Sequence, residues 1–253
     1  MSDITQRLTA CLKTLYLSTV RACYSDQAEC ARREGWSYEQ YLTEVLSREC
    51  ETRQHNRITR LLRESKLPLE KTLEGFDRTR LPRTVDAHLG VLLDGGFTRR
   101  HENVLAFGNP GSGKTHLLCA VAQELIHQGQ RVLFAPCHQL VQELLVAKRE
   151  LNLPQRLKRF SRFDALVIDD IGYVQQSREE MEVLFVLLAE CYERTSVMIS
   201  SNLPFSQWER IFKDPMTTAA AIDRLVHHSI ILELNLDSYR LAQSKRAQAE
   251  LVS

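Results

Sequence analysis

Gly108-Asn109-Pro110-Gly111-Ser112-Gly113-Lys114-Thr115 has the form G-x-x-x-x-G-K-T, and the rest of the chain can be placed around it. Two glycines, a lysine and a Ser/Thr at this spacing arise by accident in about one chain in a hundred of this length. The flanks make accident rarer still. Val104-Leu105-Ala106-Phe107 is a short apolar run of strand character, and residues 116–128 carry an unbroken helical pattern that ends at Gly129. Strand, glycine loop and helix together make a phosphate cradle. Successive backbone N–H groups and the helix N-terminus surround the phosphates, a lysine neutralises β/γ charge, and a hydroxyl reaches a magnesium ion. The candidate nucleotide contacts are therefore Gly108, Asn109, Pro110, Gly111, Ser112, Gly113, Lys114, Thr115 and His116, with Thr115 on the metal side.

A second stretch fits the first. Leu166-Val167-Ile168-Asp169-Asp170 reads as a buried parallel strand that ends in two acids. Beside a phosphate loop, Asp169 would hold magnesium, directly or through water, and Asp170 would orient or deprotonate an attacking water. Alone, such a run is also an ordinary strand ending in a polar turn. Ser200-Ser201-Asn202 ends the next strand; Asn202 is either a turn residue or a hydrogen-bond donor to the γ-phosphate or the water. No Asn-Lys-x-Asp guanine-reading motif follows, so ATP with Mg2+ is expected rather than GTP.

The chain has 253 residues, 43% of them hydrophobic, and a net charge of +1. That suits one large domain with a small appendage, and any nucleic-acid surface must be local. No run of eighteen apolar residues and no secretory signal is visible, and the seven cysteines form no Cys-x-x-Cys pair. Reduced thiols in a cytoplasm are expected, without a membrane span, a disulfide framework or a zinc site.

Residues 1–66 read as a helical N-terminal domain. Residues 4–24 form one helical segment. Ser37 with Gln40 makes a capping box for a second, which runs on through Arg53, Arg57, Arg60, Arg63 and Lys66 and stops near Pro68. That basic stripe is either a solvated helix face or a phosphate-backbone contact. Residues 67–83 read as a connector, with Leu73 and Phe76 placed to line an adenine. From Thr84 the pattern alternates: a helix closed by Gly95-Gly96, then strands at 104–107, 131–135, 165–170 and 196–200 with helices between. The fold class expected for residues 67–253 is α/β, a mostly parallel P-loop sheet covered by helices on both faces.

The order of these motifs, followed by Ile222-Asp223-Arg224-Leu225 and Asp237-Ser238-Tyr239-Arg240, resembles the AAA+ ATPases of the initiator clade. Within that clade it is similar to DnaC-type helicase loaders and closer to IstB, the ATP-binding helper of insertion-sequence transposition. Gly35-Trp36-Ser37-Tyr38-Glu39-Gln40-Tyr41-Leu42, Asn202-Leu203-Pro204-Phe205-Ser206-Gln207-Trp208 and the run from Ala220 to His228 carry the IstB likeness, which spans almost the full chain. The resemblance implies that Arg224 reaches a neighbour's γ-phosphate, that Asn202 is a first sensor and that Arg240 is a second. Both arginines are equally compatible with surface ion pairs. Two departures stand out: Asp170 replaces a glutamate common in AAA+ proteins, and the residues after Arg240 leave room only for an abbreviated C-terminal lid.

The clade also inserts helical structure that tracks nucleic acid, and here Lys148, Arg149, Arg156, Lys158, Arg159 and Arg162 precede the acidic strand. With Arg57, Arg60, Arg63 and Lys66 they imply a grip on duplex DNA that is largely independent of sequence. The expected protein is an ATPase that forms an ATP-dependent homo-oligomer on target DNA and recruits and stimulates the transposase of the same element, hydrolysis driving disassembly. The alternative is a DnaC-like loader of a replicative helicase. A stand-alone kinase with the same loop would need an acceptor pocket, of which the sequence carries no sign.

Overall fold

A computed structural model of the chain describes residues 3–172, 177–212, 214–236, 238 and 239. They divide into two compact units, Met1–Arg60 and Leu61–Ser253, the division falling inside a long helix.

The first unit contains α1 (Asp3–Thr14), α2 (Ser18–Glu34) and most of α3 (Tyr38–Ser65). The single helix expected over 4–24 is two. Tyr16 takes a left-handed φ of 55°, and the amides of Tyr16 and Leu17 close back on the carbonyls of Lys13 and Leu12. This is a C-terminal helix cap of the kind glycine usually makes, here made by tyrosine. The capping box is formed: the Gln40 amide donates to Ser37 Oγ at 3.2 Å and the Ser37 amide to Gln40 Oε1 at 2.8 Å. Leu12, Val20 and Val45 form a small core. Helix α2 has no cap from its own first residues. Buried Glu49 on α3 supplies one instead, accepting from the amides of Thr19 and Val20 at 2.8 and 3.1 Å. Arg53 holds the other carboxylate oxygen at 2.8 Å and the Tyr16 carbonyl at 2.6 Å. Lys66 lies beyond the helix with φ 58°, so the basic series leaves α3 before its last member.

The second unit is an α/β layer structure. Its elements are α4 (Arg83–Asp94), α5 (Gly96–Arg99), β1 (Asn103–Gly108), α6 (Lys114–His127), β2 (Val132–Pro136), α7 (Cys137–Arg149), α8 (Leu153–Phe160), β3 (Ala165–Ile171), α9 (Arg178–Cys191), β4 (Ser196–Ser201), α10 (Glu209–Phe212), α11 (Pro215–Val226) and β5 (Ser229–Leu234). The expected alternation is present, and β5 adds a strand that the sequence reading left out. All pairings are parallel, in the order β2-β3-β4-β1-β5.

Strand side chains alternate between faces. Leu105, Leu166, Ile168, Val197 and Ile199 join α7, α8, α9 and α11 in one large core. Helix α6 packs across β1, β2, β3 and β4, and α4 against β5, on the other face. Covering both faces explains why these strands are continuous apolar runs. Among the described residues no helix is long and apolar enough to cross a membrane.

Candidate functional site

A parallel sheet brings the carboxyl ends of its strands to one edge, where ligands of such folds bind. Strand β4 lies between β1 and β3, so the loop after β1, the acids ending β3 and the polar residues ending β4 meet there. The loop needs its glycines for two separate reasons. Gly113 takes φ 97° at the start of α6, and a Cβ on Gly108 would run into the Leu234 carbonyl of β5. Lys114 is buried at 6% exposure, with its Nζ donating to the carbonyls of Gly108 and Asn109 at 2.8 and 2.9 Å. Thr115 Oγ1 donates to Asp169 Oδ1 at 2.7 Å, joining the first turn of α6 to β3. Asp170 sits on a register shift of β3 with φ 60°.

Lys114, Thr115 and Asp170 line a cavity of about 450 Å³ together with Pro110, Gly111, Ser112, Gly113, His116 and Asn202, whereas Gly108, Asn109 and Asp169 are not among its lining residues. The connector supplies another wall through Phe76, Asp77 and Arg80. Phe76 meets the His116 ring edge-on at 5.2 Å, and His116 Nε2 lies 2.8 Å from the Thr72 carbonyl. Of the two residues expected to line an adenine, Phe76 lines this cavity and Leu73 does not. Arg80 and Asp77 were not assigned by the sequence reading, nor were two groups from beyond β5. Tyr239 returns to the loop from beyond β5, with the Arg80 guanidinium 5.3 Å from its ring centre, and Leu236 accompanies it.

Arg224 does not line this cavity. Its guanidinium lies over the Phe185 ring at 4.7 Å, and Nη1 is buried without a hydrogen-bond partner among the described residues. Arg240 and the expected abbreviated lid fall outside the described residues. Of the basic residues, Arg57, Arg60, Arg63 and Lys66 are exposed, as are Arg149, Lys158 and Arg159. Lys148 pairs with Glu182 at 3.0 Å and Arg156 with Glu143 at 3.3 Å. No group of three or more His, Cys, Asp or Glu able to hold a metal occurs among the described residues. Burial pushes the thiols of Cys119 and Cys191 up to about 12, which makes them core groups rather than nucleophiles.

The site fits a nucleotide with magnesium. Ser112 Oγ is buried in the loop with no hydrogen-bond partner among the described residues, a donor that a phosphate oxygen would satisfy. Thr115 and Asp169 offer the hard oxygen ligands that magnesium takes alongside substrate phosphates.

A phosphate loop and an acidic strand end, separated by one strand that carries its own polar terminus, define a P-loop nucleotide-binding protein with an AAA+-like fold. Within that class the chain belongs to the family described as IstB-like ATP binding protein, which its sequence matches over residues 10–247. An insertion-sequence protein of Sinorhizobium fredii described as ATP-binding is 42% identical over 243 residues, covering 96% of this chain and 82% of the relative. The corresponding protein of insertion sequence IS5376 from Geobacillus stearothermophilus is 36% identical, covering 93% and 94%. That of IS21 from Pseudomonas aeruginosa is also 36% identical, covering 87% and 83%. Among solved structures, the fold is similar to the replication initiator DnaA bound to AMPPCP and single-stranded DNA, at TM-score 0.58 and 19% identity over 74% of this chain and 56% of that one. It is also similar to DnaI, at TM-score 0.54 and 19% identity over 69% and 94%.

Proposed function

We propose that this chain hydrolyses ATP as the assembly-dependent helper of an insertion-sequence transposase. The observation that carries the reading is the bond from Thr115 to Asp169, with Asp170 and Asn202 on the same cavity. The loop amides and Lys114 bind the β- and γ-phosphates, Lys114 exchanging its two carbonyl partners for phosphate oxygens. Thr115 and Asp169 would hold magnesium, which supplies positive charge against the phosphates when bound. Asp170 orients or deprotonates the attacking water, its carboxylate one carbon shorter than the glutamate common in the class. Asn202 donates to that water or to the γ-phosphate. Phe76, Arg80 and Tyr239 shape the end of the cavity that would take the base.

Arg224 serves a neighbouring copy's γ-phosphate, so turnover waits on assembly. Exposed Arg57, Arg60, Arg63 and Lys66, with Arg149, Lys158 and Arg159, contact the phosphate backbone of duplex DNA whatever its sequence. The assembly recruits and stimulates the element's own transposase, and hydrolysis releases it. Family membership supports the transposition setting over helicase loading, since the relatives named above are insertion-sequence proteins.

Light scattering with and without a short duplex, in ADP and in a non-hydrolysable ATP analogue, tests this reading. Large assemblies are expected only with duplex and the analogue together. A protein that stays small in all four conditions overturns the DNA-assembly reading.

A further inference from the structure

We infer that Ser200 is a positioning residue that couples the metal-side acid to the water-side acid. The inference rests on the reading of Asp169 and Asp170 given above. Ser200 is the last residue but one of β4 and is completely buried. Its hydroxyl donates to Asp169 Oδ1 at 2.6 Å and accepts from the Asp170 backbone amide at 2.8 Å. A serine hydroxyl has one proton and free lone pairs, so it can serve both partners at once.

Each half of this bridge answers a local need. Asp170 lies in the register shift between Ile168 and Ile171, where the β3–β4 ladder is interrupted. Its φ of 60° lies in the left-handed region, which residues other than glycine seldom occupy and which aspartate tolerates better than most. The Ser200 hydroxyl takes the amide and fixes that conformation, which aims the Asp170 side chain at the cavity. On the other side, Asp169 Oδ1 accepts from both Thr115 and Ser200. If the Thr115 hydroxyl turns to a metal, Ser200 remains as the hydroxyl that orients the carboxylate.

The neighbouring Ser201 is equally buried but does different work. Its Oγ lies 3.0 Å from the carbonyls of both Ile171 and Leu203, which share its single proton, and accepts from the Leu203 amide, holding the turn that carries Asn202. The two serines therefore separate a bond to the acids from burial as such.

The test measures binding of a fluorescent ADP to the full chain in EDTA and in Mg2+, together with Tm, kcat and KM, for wild type, Ser200→Ala and Ser201→Ala. Ser200→Ala should bind nucleotide in EDTA as wild type does. It should lose about tenfold of the Mg2+-dependent gain in affinity and show a larger fall in kcat than any change in KM. Ser201→Ala should retain the Mg2+-dependent gain. If Ser200→Ala keeps that gain and its kcat, the inference is wrong. It is equally wrong if Ser200→Ala loses binding alike in EDTA and Mg2+ while its Tm falls, because that is the signature of a merely structural serine. A wild-type protein that binds ADP equally with and without Mg2+ would instead remove the reading of Asp169 itself, and this inference with it.

Discussion

The backbone N–H of Tyr239 donates to the Gly111 carbonyl at 2.9 Å, so the chain beyond β5 is tied back onto the phosphate loop. Gly111 takes φ 80°, and a Cβ there would meet Ser238. The Tyr239 ring lines the cavity under the Arg80 guanidinium. Tyr239→Ala should weaken ATP binding about three- to tenfold, on the order of 1 kcal/mol for a lost ring and its cation contact. Tyr239→Phe should bind nearly as wild type does. Inorganic tripolyphosphate, which has no base, should bind wild type and Tyr239→Ala alike in competition assays; a matching loss there would place the ring's effect on the phosphates instead.

Glu49 predicts how the first unit responds to acid. Burial is the largest single influence on its carboxyl and opposes the charge, but Arg53 and the amides of Val20 and Thr19 together outweigh it and hold the pKa below the ordinary value of 4.5. A folded-state pKa below the unfolded one contributes stability that is complete above the unfolded pKa, near 4.5. It is lost as pH falls through the folded value. Glu49→Ala also removes the cap of α2 and should cost about 1–2 kcal/mol at pH 7. In urea melts of the full chain followed by far-UV circular dichroism, the gap between wild type and Glu49→Ala should narrow below pH 4.5. A gap that stays constant down to pH 3 would show that the carboxylate charge does not contribute.

The contrast between Asp169 and Glu49 shows what could be read in advance. Asp169 closes an apolar strand behind a phosphate loop, so its place follows from residues adjacent in the chain. Glu49 caps α2 at Thr19, thirty residues earlier in sequence, which only the packing of α2 on α3 decides. Ser200 and Tyr239 were hidden for the same reason, because their partners belong to β3 and to the loop after β1. The ion pairs of Lys148 with Glu182 and of Arg156 with Glu143 were hidden in the same way, because each joins residues of two different helices. Tyr16 concealed a helix end where glycine would have announced it. Strand β5 did leave a signal in Ile230-Ile231-Leu232, a short apolar run of strand composition between polar flanks.

Trp208 should tune the turn that carries Asn202. It is fully buried, packs 5.1 Å from the Phe205 ring and 6.2 Å from Phe107 of β1, and donates from Nε1 to the Leu203 carbonyl at 3.0 Å. Trp208→Phe keeps an aromatic ring but removes that donor and leaves a void. A loss of about 1–3 kcal/mol is expected in urea melts. Because Leu203 follows Asn202 directly, kcat should fall further than nucleotide affinity. Equal losses in kcat and affinity would mean the turn is not the element that Trp208 controls.

Arg224 separates binding from turnover. Its guanidinium rests on Phe185, away from the cavity formed by its own chain. Dilute Arg224→Ala protein should therefore bind ATP within about twofold of wild type, a range set by the small effect of substitutions remote from a site. Under assembling conditions its turnover should drop by about a thousandfold, the lower end of what an arginine supplied in trans contributes. Mixing distinguishes this from a folding defect. Lys114→Ala lacks the loop lysine but keeps Arg224, while Arg224→Ala keeps the loop, and each alone should be inactive. In a mixture some interfaces join the intact loop of one variant to the intact Arg224 of the other, so ATP hydrolysis should reappear. If the mixture stays inactive although light scattering shows that the variants co-assemble, Arg224 does not act across the interface.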